Sequence, residues 1–162
     1  MNPETFLLQI GISHQVVKAN VGEVTHEESL KQPEPAGNCL NWVLGHLVAT
    51  RSEFLRGLGA EPVWDEVDCR RYERRGAPIK SAREAKPWDE IWKAYELTQQ
   101  RIRQAVSELT PQQMAQKAPF SPSNNPKETV GSLLAVFAFH DAYHTGQTGV
   151  LRRIVGKAPA DL

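Results

Sequence analysis

Apolar residues recur every three or four positions through four long segments of the chain, which is the spacing of an amphipathic helix. These segments run from about residue 3 to 24, 39 to 58, 87 to 109 and 129 to 155. No segment alternates apolar and polar residues in the manner of a half-buried strand. The pattern therefore predicts an all-α fold, a four-helix bundle that forms a single domain over residues 1–162.

Helix-capping and helix-breaking residues divide these segments. Thr129 is expected to cap the fourth helix, and Thr110 a short extra turn that follows the third. Asn38 is expected to cap the second helix, which Gly57 and Gly59 should end. We expect these residues to set the helix boundaries.

Two connections are long for a compact domain. Residues 60–86 are rich in charge, and residues 117–128 contain three prolines. Connections of this length usually cross from one end of a bundle to the other or carry a function. We expect both to shape a substrate pocket and the bundle to have long crossover connections.

Composition narrows the classes of partner. Lysine plus arginine and aspartate plus glutamate both number 19, so the chain has no general attraction to nucleic acid. Its start lacks the basic and apolar regions of a signal peptide. The longest apolar run, Leu133 to Phe139, is far shorter than the roughly 20 residues of a membrane span. Cys39 and Cys69 are too few for a disulfide framework. We therefore expect a cytoplasmic protein that binds neither nucleic acid nor membrane.

The fourth predicted helix carries polar residues in the middle of its apolar stripe. The stripe consists of Leu133, Phe137, His140, His144, Gln147 and Leu151. Burying polar groups without partners costs roughly 1–3 kcal/mol each. Histidines four residues apart lie one above the other on a helix, so one metal ion can satisfy both imidazoles. Two hydrogen-bonded core histidines remain an equally good reading of this spacing.

His46, on the second predicted helix, is the third candidate ligand. It lies at the edge of the apolar stripe, where a histidine alone is more often a partly exposed packing residue. With His140 and His144 it would complete a site of three imidazoles. Such a site keeps a position open for water or substrate, as catalytic zinc sites do.

The segment from His140 to His144 also invites comparison with the H-E-x-x-H motif of zinc proteases. Asp141 replaces the glutamate that serves those enzymes as general base. No predicted strands are available to hold an extended substrate. The sequence thus disfavours a peptidase, while a metal-dependent hydrolase stays an alternative.

Five further residues allow more than one role. His14 either lines the metal cavity or is a core histidine bonded to a neighbour, and the second role is favoured. Gln147 either orients a bound water or bonds to another helix, and Trp64 either covers the site or is exposed. Asp141 and Tyr143 are expected to be dimer or surface residues, although Asp141 could support a histidine of an adjacent element.

The stretches from Asn41 to Val48 and from His140 to Gln147 resemble the DinB/YfiT superfamily, and the resemblance extends over essentially the whole chain. It implies a four-helix bundle, frequently a homodimer, with a metal site at His46, His140 and His144. Several characterised relatives are metal-dependent transferases or isomerases that use a low-molecular-weight thiol such as bacillithiol, mycothiol or glutathione. Other relatives have no assigned activity.

Three functions follow as hypotheses. The first is a metal-dependent thiol S-transferase or related isomerase, whose partners are a small-molecule thiol and an electrophilic substrate. One divalent metal ion per chain would lower the pKa of a coordinated thiol or water; zinc is favoured, with nickel, iron or copper as alternatives. The second is a non-catalytic stress protein that binds a metal or another ligand. The third is a bundle used only for dimerisation, with the histidines as core polar groups.

Overall fold

The computed structural model describes residues 1–79 and 81–161. Its four long helices are α1 (Pro3–Val21), α3 (Leu40–Gly57), α5 (Trp88–Ser107) and α7 (Val130–Ile154). Its shorter elements are α2 (His26–Ser29), α4 (Glu66–Arg70), α6 (Pro111–Ala115) and a 3-10 turn (Ala82–Glu84). Within the described residues no strand forms; Lys117 and Thr129 make only an isolated bridge. The predicted all-α fold is confirmed.

Most of the predicted helix boundaries hold. The side chains of Thr110 and Thr129 both accept a backbone N–H in a capping box, at the starts of α6 and α7. The prediction for Asn38 is wrong, because the extended residue that precedes α3 is Cys39, and it makes no side-chain cap. Gly59 follows the end of α3 with a φ of 74°, a conformation that favours glycine.

The four long helices form a square bundle in which each packs against two others. α1 and α3 each contact both α5 and α7, so α1 and α3 occupy opposite corners. Residues 22–39 and 108–129 therefore cross over the bundle, whereas residues 58–87 join neighbouring helices. α4 packs on α3, and α6 packs on α7. The predicted bundle with long crossover connections is confirmed, although the segment 60–86 is not one of the diagonal crossovers.

The core is apolar toward both ends of the bundle and polar in between. One apolar cluster includes Val17, Leu44, Ile91 and Leu151. The other includes Phe6, Phe54, Ile102 and Leu133. At the level between them every long helix contributes a buried polar side chain, namely His14, Arg51, Thr98 and Asp141. This polar layer is the feature that four amphipathic stripes alone would not produce.

The centre of the polar layer is an ion pair between Arg51 and Asp141, both with fully buried side chains. The guanidinium donates from Nε and Nη2 to the two carboxylate oxygens, each over 2.9 Å. Its remaining three N–H groups donate to the Tyr95 hydroxyl, the Thr98 hydroxyl and the Gln99 amide oxygen. All five donors of the arginine thus have an acceptor, which is the condition for tolerating a charge in a core.

Replacing Asp141 with alanine should destabilise the protein by about 3–5 kcal/mol, because the Arg51 charge would stay buried without a counter-ion. Urea unfolding followed by circular dichroism measures the change. The double variant Arg51→Met/Asp141→Leu should recover most of the loss, since no unpaired charge remains. Lys93→Ala removes an exposed ion pair of α5 instead and should leave the unfolding midpoint nearly unchanged. Equal midpoints for Asp141→Ala and Lys93→Ala would contradict the assigned role.

Candidate metal centre

Three histidines from two helices converge on one point. His46 lies on α3, and His140 and His144 lie one turn apart on α7. One ring nitrogen of each lies within 4.8 Å of the others, and Nε2 of His46 is 3.2 Å from Nε2 of His140. Two nitrogens bound to a tetrahedral zinc ion at 2.0–2.1 Å are themselves about 3.3 Å apart. The spacing of this pair therefore suits a shared ion.

His46 is held in place from the connection between α3 and α5. Its Nδ1 lies 2.6 Å from the backbone carbonyl oxygen of Tyr72, so Nδ1 carries the proton and Nε2 is left bare. The Tyr72 ring lies directly over Gly45, where any Cβ would overlap it. Trp42 stacks on the imidazole, with ring centroids 4.7 Å apart. His46 is 4% exposed, which rules out the partly exposed packing role.

Gln147 orients His144. The amide oxygen of Gln147 lies 2.7 Å from Nδ1 of His144, which therefore donates, and Nε2 is left bare as in His46. This contact lies within α7, so the alternative of a bond from Gln147 to a neighbouring helix is wrong. His140 differs, because its Nδ1 is buried without a hydrogen-bond partner among the described residues. When no metal ion is bound, Nε2 of His140 can then donate a hydrogen bond to the unprotonated Nε2 of His46.

Burial is the largest cause of a lowered pKa at all three histidines. It lowers the pKa of His46 to about 4 and that of His140 to about 3. The positive charge of Arg74 adds to the effect at both residues. Burial also lowers the pKa of His144, and the hydrogen bond that His144 donates to Gln147 opposes this effect. All three rings are therefore neutral at pH 7, the form in which imidazole binds metal.

Two chambers open beside the histidines and share His46, Thr50, Glu53 and Arg74 as lining residues. The apolar chamber has a volume of about 700 Å³ and also contacts His140. Its remaining walls include Phe120, Leu133, Val136, Phe137, Phe139 and Tyr143. The charged chamber, of about 330 Å³, is lined by residues that include Glu53, Arg56, Glu66, Arg70, Glu73 and Arg74. Both connections singled out by the sequence, 60–86 and 117–128, contribute walls.

The other candidate residues have defined places. His14 stacks on Tyr95 and its Nε2 lies 3.1 Å from a Glu96 carboxylate oxygen, so it is a core histidine facing a neighbour, as favoured. Trp64 is buried against Tyr72, so the exposed position is wrong, and it lines neither chamber. Tyr143 is 57% exposed, in agreement with a surface residue.

Asp141 is the main correction among these residues. The sequence predicts a surface or dimer position for Asp141, but it is fully buried and paired with Arg51. The reason is that α7 is buried on two faces, one toward α1 and one toward α3. The sequence patterns above do not single out Arg51 or Tyr72. A signal for Arg51 existed, since it occupies the position that the three-four series lacks between Leu47 and Phe54.

The stability of the metal-free protein should fall as the pH is lowered from 7.5 to 5. In the unfolded chain the histidines take up protons near pH 6.5, whereas folded His46 and His140 do so only near 4 and 3. The unfolded state therefore gains protons first, at roughly 1 kcal/mol per histidine and pH unit. Urea unfolding against pH measures the slope, which His140→Gln should reduce. A slope unaffected by His140→Gln would contradict the assignment.

Replacing Gln147 with leucine should weaken zinc binding by about 10- to 100-fold, because His144 loses the acceptor that sets its tautomer and orientation. Gln147→Glu keeps an acceptor oxygen at the same place and should keep the affinity. Competition with a chromogenic zinc chelator measures both variants. Equal affinities for the leucine and glutamate variants would show that this hydrogen bond does not support the site.

Among the described helices, none combines the length and apolar character that a membrane crossing requires.

Comparison with known proteins agrees with this architecture. A conserved protein from Enterococcus faecalis, known from a crystal structure, is 14% identical and superposes with a TM-score of 0.73, over 96% of this chain and 98% of its own. At that identity the likeness concerns the fold alone. The chain has no match among curated proteins. Residues 10–148 match the sequence model of the DinB superfamily, and the chain belongs to that family.

Proposed function

We propose that this protein is a metal-dependent enzyme that holds one divalent ion with His46, His140 and His144. Its reaction would be the transfer of a small-molecule thiol to a small electrophile, or a related isomerisation. The convergence of three neutral imidazoles within 4.8 Å is the observation that carries the proposal. Membership of the DinB superfamily supports metal binding and a small-molecule substrate.

The chain's own residues prepare this site for a cation. Tyr72 and Gln147 accept the Nδ1 protons of His46 and His144, so both bare Nε2 atoms are available as ligands. His140 keeps a free Nδ1 to which its proton can move when Nε2 binds the ion. A bound divalent ion supplies a Lewis acid that lowers the pKa of a coordinated thiol or water. Zinc fits three imidazoles, and nickel, iron and copper share that preference.

Catalysis is favoured over storage by what surrounds the histidines. Three protein ligands leave a position open for a reactant, as in catalytic zinc sites. The charged and apolar chambers both reach His46, which gives two reactants of different polarity separate approaches to one point. A protein that only sequesters metal needs neither chamber.

Two other functions use the same three histidines. A non-catalytic stress protein would bind the metal or another ligand without turnover, and a metal-dependent hydrolase would activate water instead of a thiol. A single domain, a homodimer and a cytoplasmic location also stay predictions of the sequence.

Untagged protein should contain about one divalent ion per chain, and His46→Ala, His140→Ala and His144→Ala should each lose it, since each removes one of three ligands. Elemental mass spectrometry after purification without a histidine tag measures the content. His14→Ala, in the polar layer but outside the cluster, is the matched control and should retain the ion. A wild-type protein that contains no metal and takes up neither zinc nor nickel would contradict the proposal.

The reaction is tested with the same variants. Metal-loaded protein is incubated with an aryl halide and, in turn, bacillithiol, mycothiol, glutathione and cysteine, and thioether formation is followed by absorbance. Turnover with one thiol that disappears in His140→Ala supports the transferase. Tight metal binding without turnover for any thiol favours the non-catalytic protein, and ester hydrolysis that needs His140 favours the hydrolase.

A further inference from the structure

The apolar chamber is lined by aromatic side chains, as binding sites for flat aromatic rings are. Four of its lining residues are aromatic, namely Phe120, Phe137, Phe139 and Tyr143. Its volume of about 700 Å³ lies within the range of small-molecule sites. Aromatic walls favour aromatic guests, because offset and edge-on ring contacts add to the burial of apolar surface.

The inner part of this wall is formed in advance. Phe137 stacks on Phe54 of α3, with ring centroids 4.2 Å apart, and Phe6 packs against both. Phe120 lies against Gly57, where a Cβ would clash with its ring, so the connection before α7 comes close to the end of α3. These contacts hold the chamber open without a ligand, which reduces the ordering cost of binding.

The outer part of the wall leaves apolar surface in water. Phe139 is 73% exposed and Tyr143 is 57% exposed, one helical turn apart on α7. Exposed aromatic rings that continue into a cavity mark a binding surface more often than isolated ones do. A guest in the chamber would cover part of both rings.

The charges at the chamber point to an uncharged guest. Its ionised lining residues are Glu53 and Arg74, which have opposite signs and also line the charged chamber. Most of the other lining residues are apolar, so a further buried charge would be costly there. The polar group of the guest therefore belongs beside the histidines, and its ring against the aromatic wall.

We propose that the apolar chamber binds an uncharged aromatic small molecule, with its polar, reacting group at His46 and His140. The inference rests on the proposed function and specifies the class of its electrophilic substrate. The charged chamber is left for a polar reactant of mixed charge. Aromatic ring and reacting group thus enter from one side and the second reactant from the other.

The test compares imidazole with 4-phenylimidazole on the cobalt-loaded protein, in which visible absorbance reports a new ligand on the ion. The phenyl group should tighten binding by about 10- to 100-fold, the effect of burying one aromatic ring. Ala135→Trp fills the apolar chamber from α7 and should abolish this gain while imidazole still binds. Glu73→Trp fills the charged chamber instead and should keep the gain.

The outcomes separate this inference from the proposed function. Equal affinity for the two ligands in wild type, or a gain that survives in Ala135→Trp, would overturn the chamber assignment while the metal site stands. A protein that holds no cobalt would overturn the proposed function. In that case fluorine NMR of 4-fluorotoluene with the metal-free protein decides: binding lost in Ala135→Trp but kept in Glu73→Trp supports the chamber, and no binding in wild type overturns it.

Discussion

The buried pair of Arg51 and Asp141 is the constraint on which the remaining structure depends. It joins α3 to α7 at the middle of the bundle, with two 2.9 Å hydrogen bonds whose geometry allows little displacement. Asp141 follows His140 in the chain, and Arg51 lies little more than one turn after His46. A slip of one helical turn, about 5.4 Å, would break the pair and also separate the two Nε2 atoms that are 3.2 Å apart. The pair therefore sets the register that brings the histidines together.

Such a pair fixes the register of the helices, and its cost is the free energy of removing two charges from water. Removing two charges from water is expensive, and well-packed apolar residues often stabilise a core as much or more. Here all five guanidinium donors are satisfied, and the layer adds Tyr95, Thr98 and Gln99 from α5. Apolar packing is non-directional and tolerates sliding of one helix along another, whereas these bonds do not. The arrangement suits a bundle whose site is shared between two helices.

The candidate metal site likewise depends on buried polar groups that directional hydrogen bonds hold in place, and here these groups are neutral imidazoles. Burial keeps the rings unprotonated, and Tyr72 and Gln147 decide which nitrogen of His46 and His144 carries the proton. Tyr72 can come this close only because residue 45 is a glycine. The connection after α3 thus acts on the site through its backbone as well as its charges. Opposite this charged side, α7 and the connection before it build an apolar wall, so the two sides of His46 differ in polarity.

The sequence by itself determined the four helices, the caps at Thr129 and Thr110, and the shared helix face of His140 and His144, whereas His46 joined them through the family resemblance of its segment. Their signals are local, because periodicity, caps and a four-residue spacing are properties of one helix. The tertiary structure alone decided that His46 is buried, that Asp141 pairs with Arg51, and which chambers reach the site. Arg51 stands 90 positions from its partner. A helical wheel assigns one apolar face to each helix, but α7 is covered from two sides, and only packing reveals the second buried face.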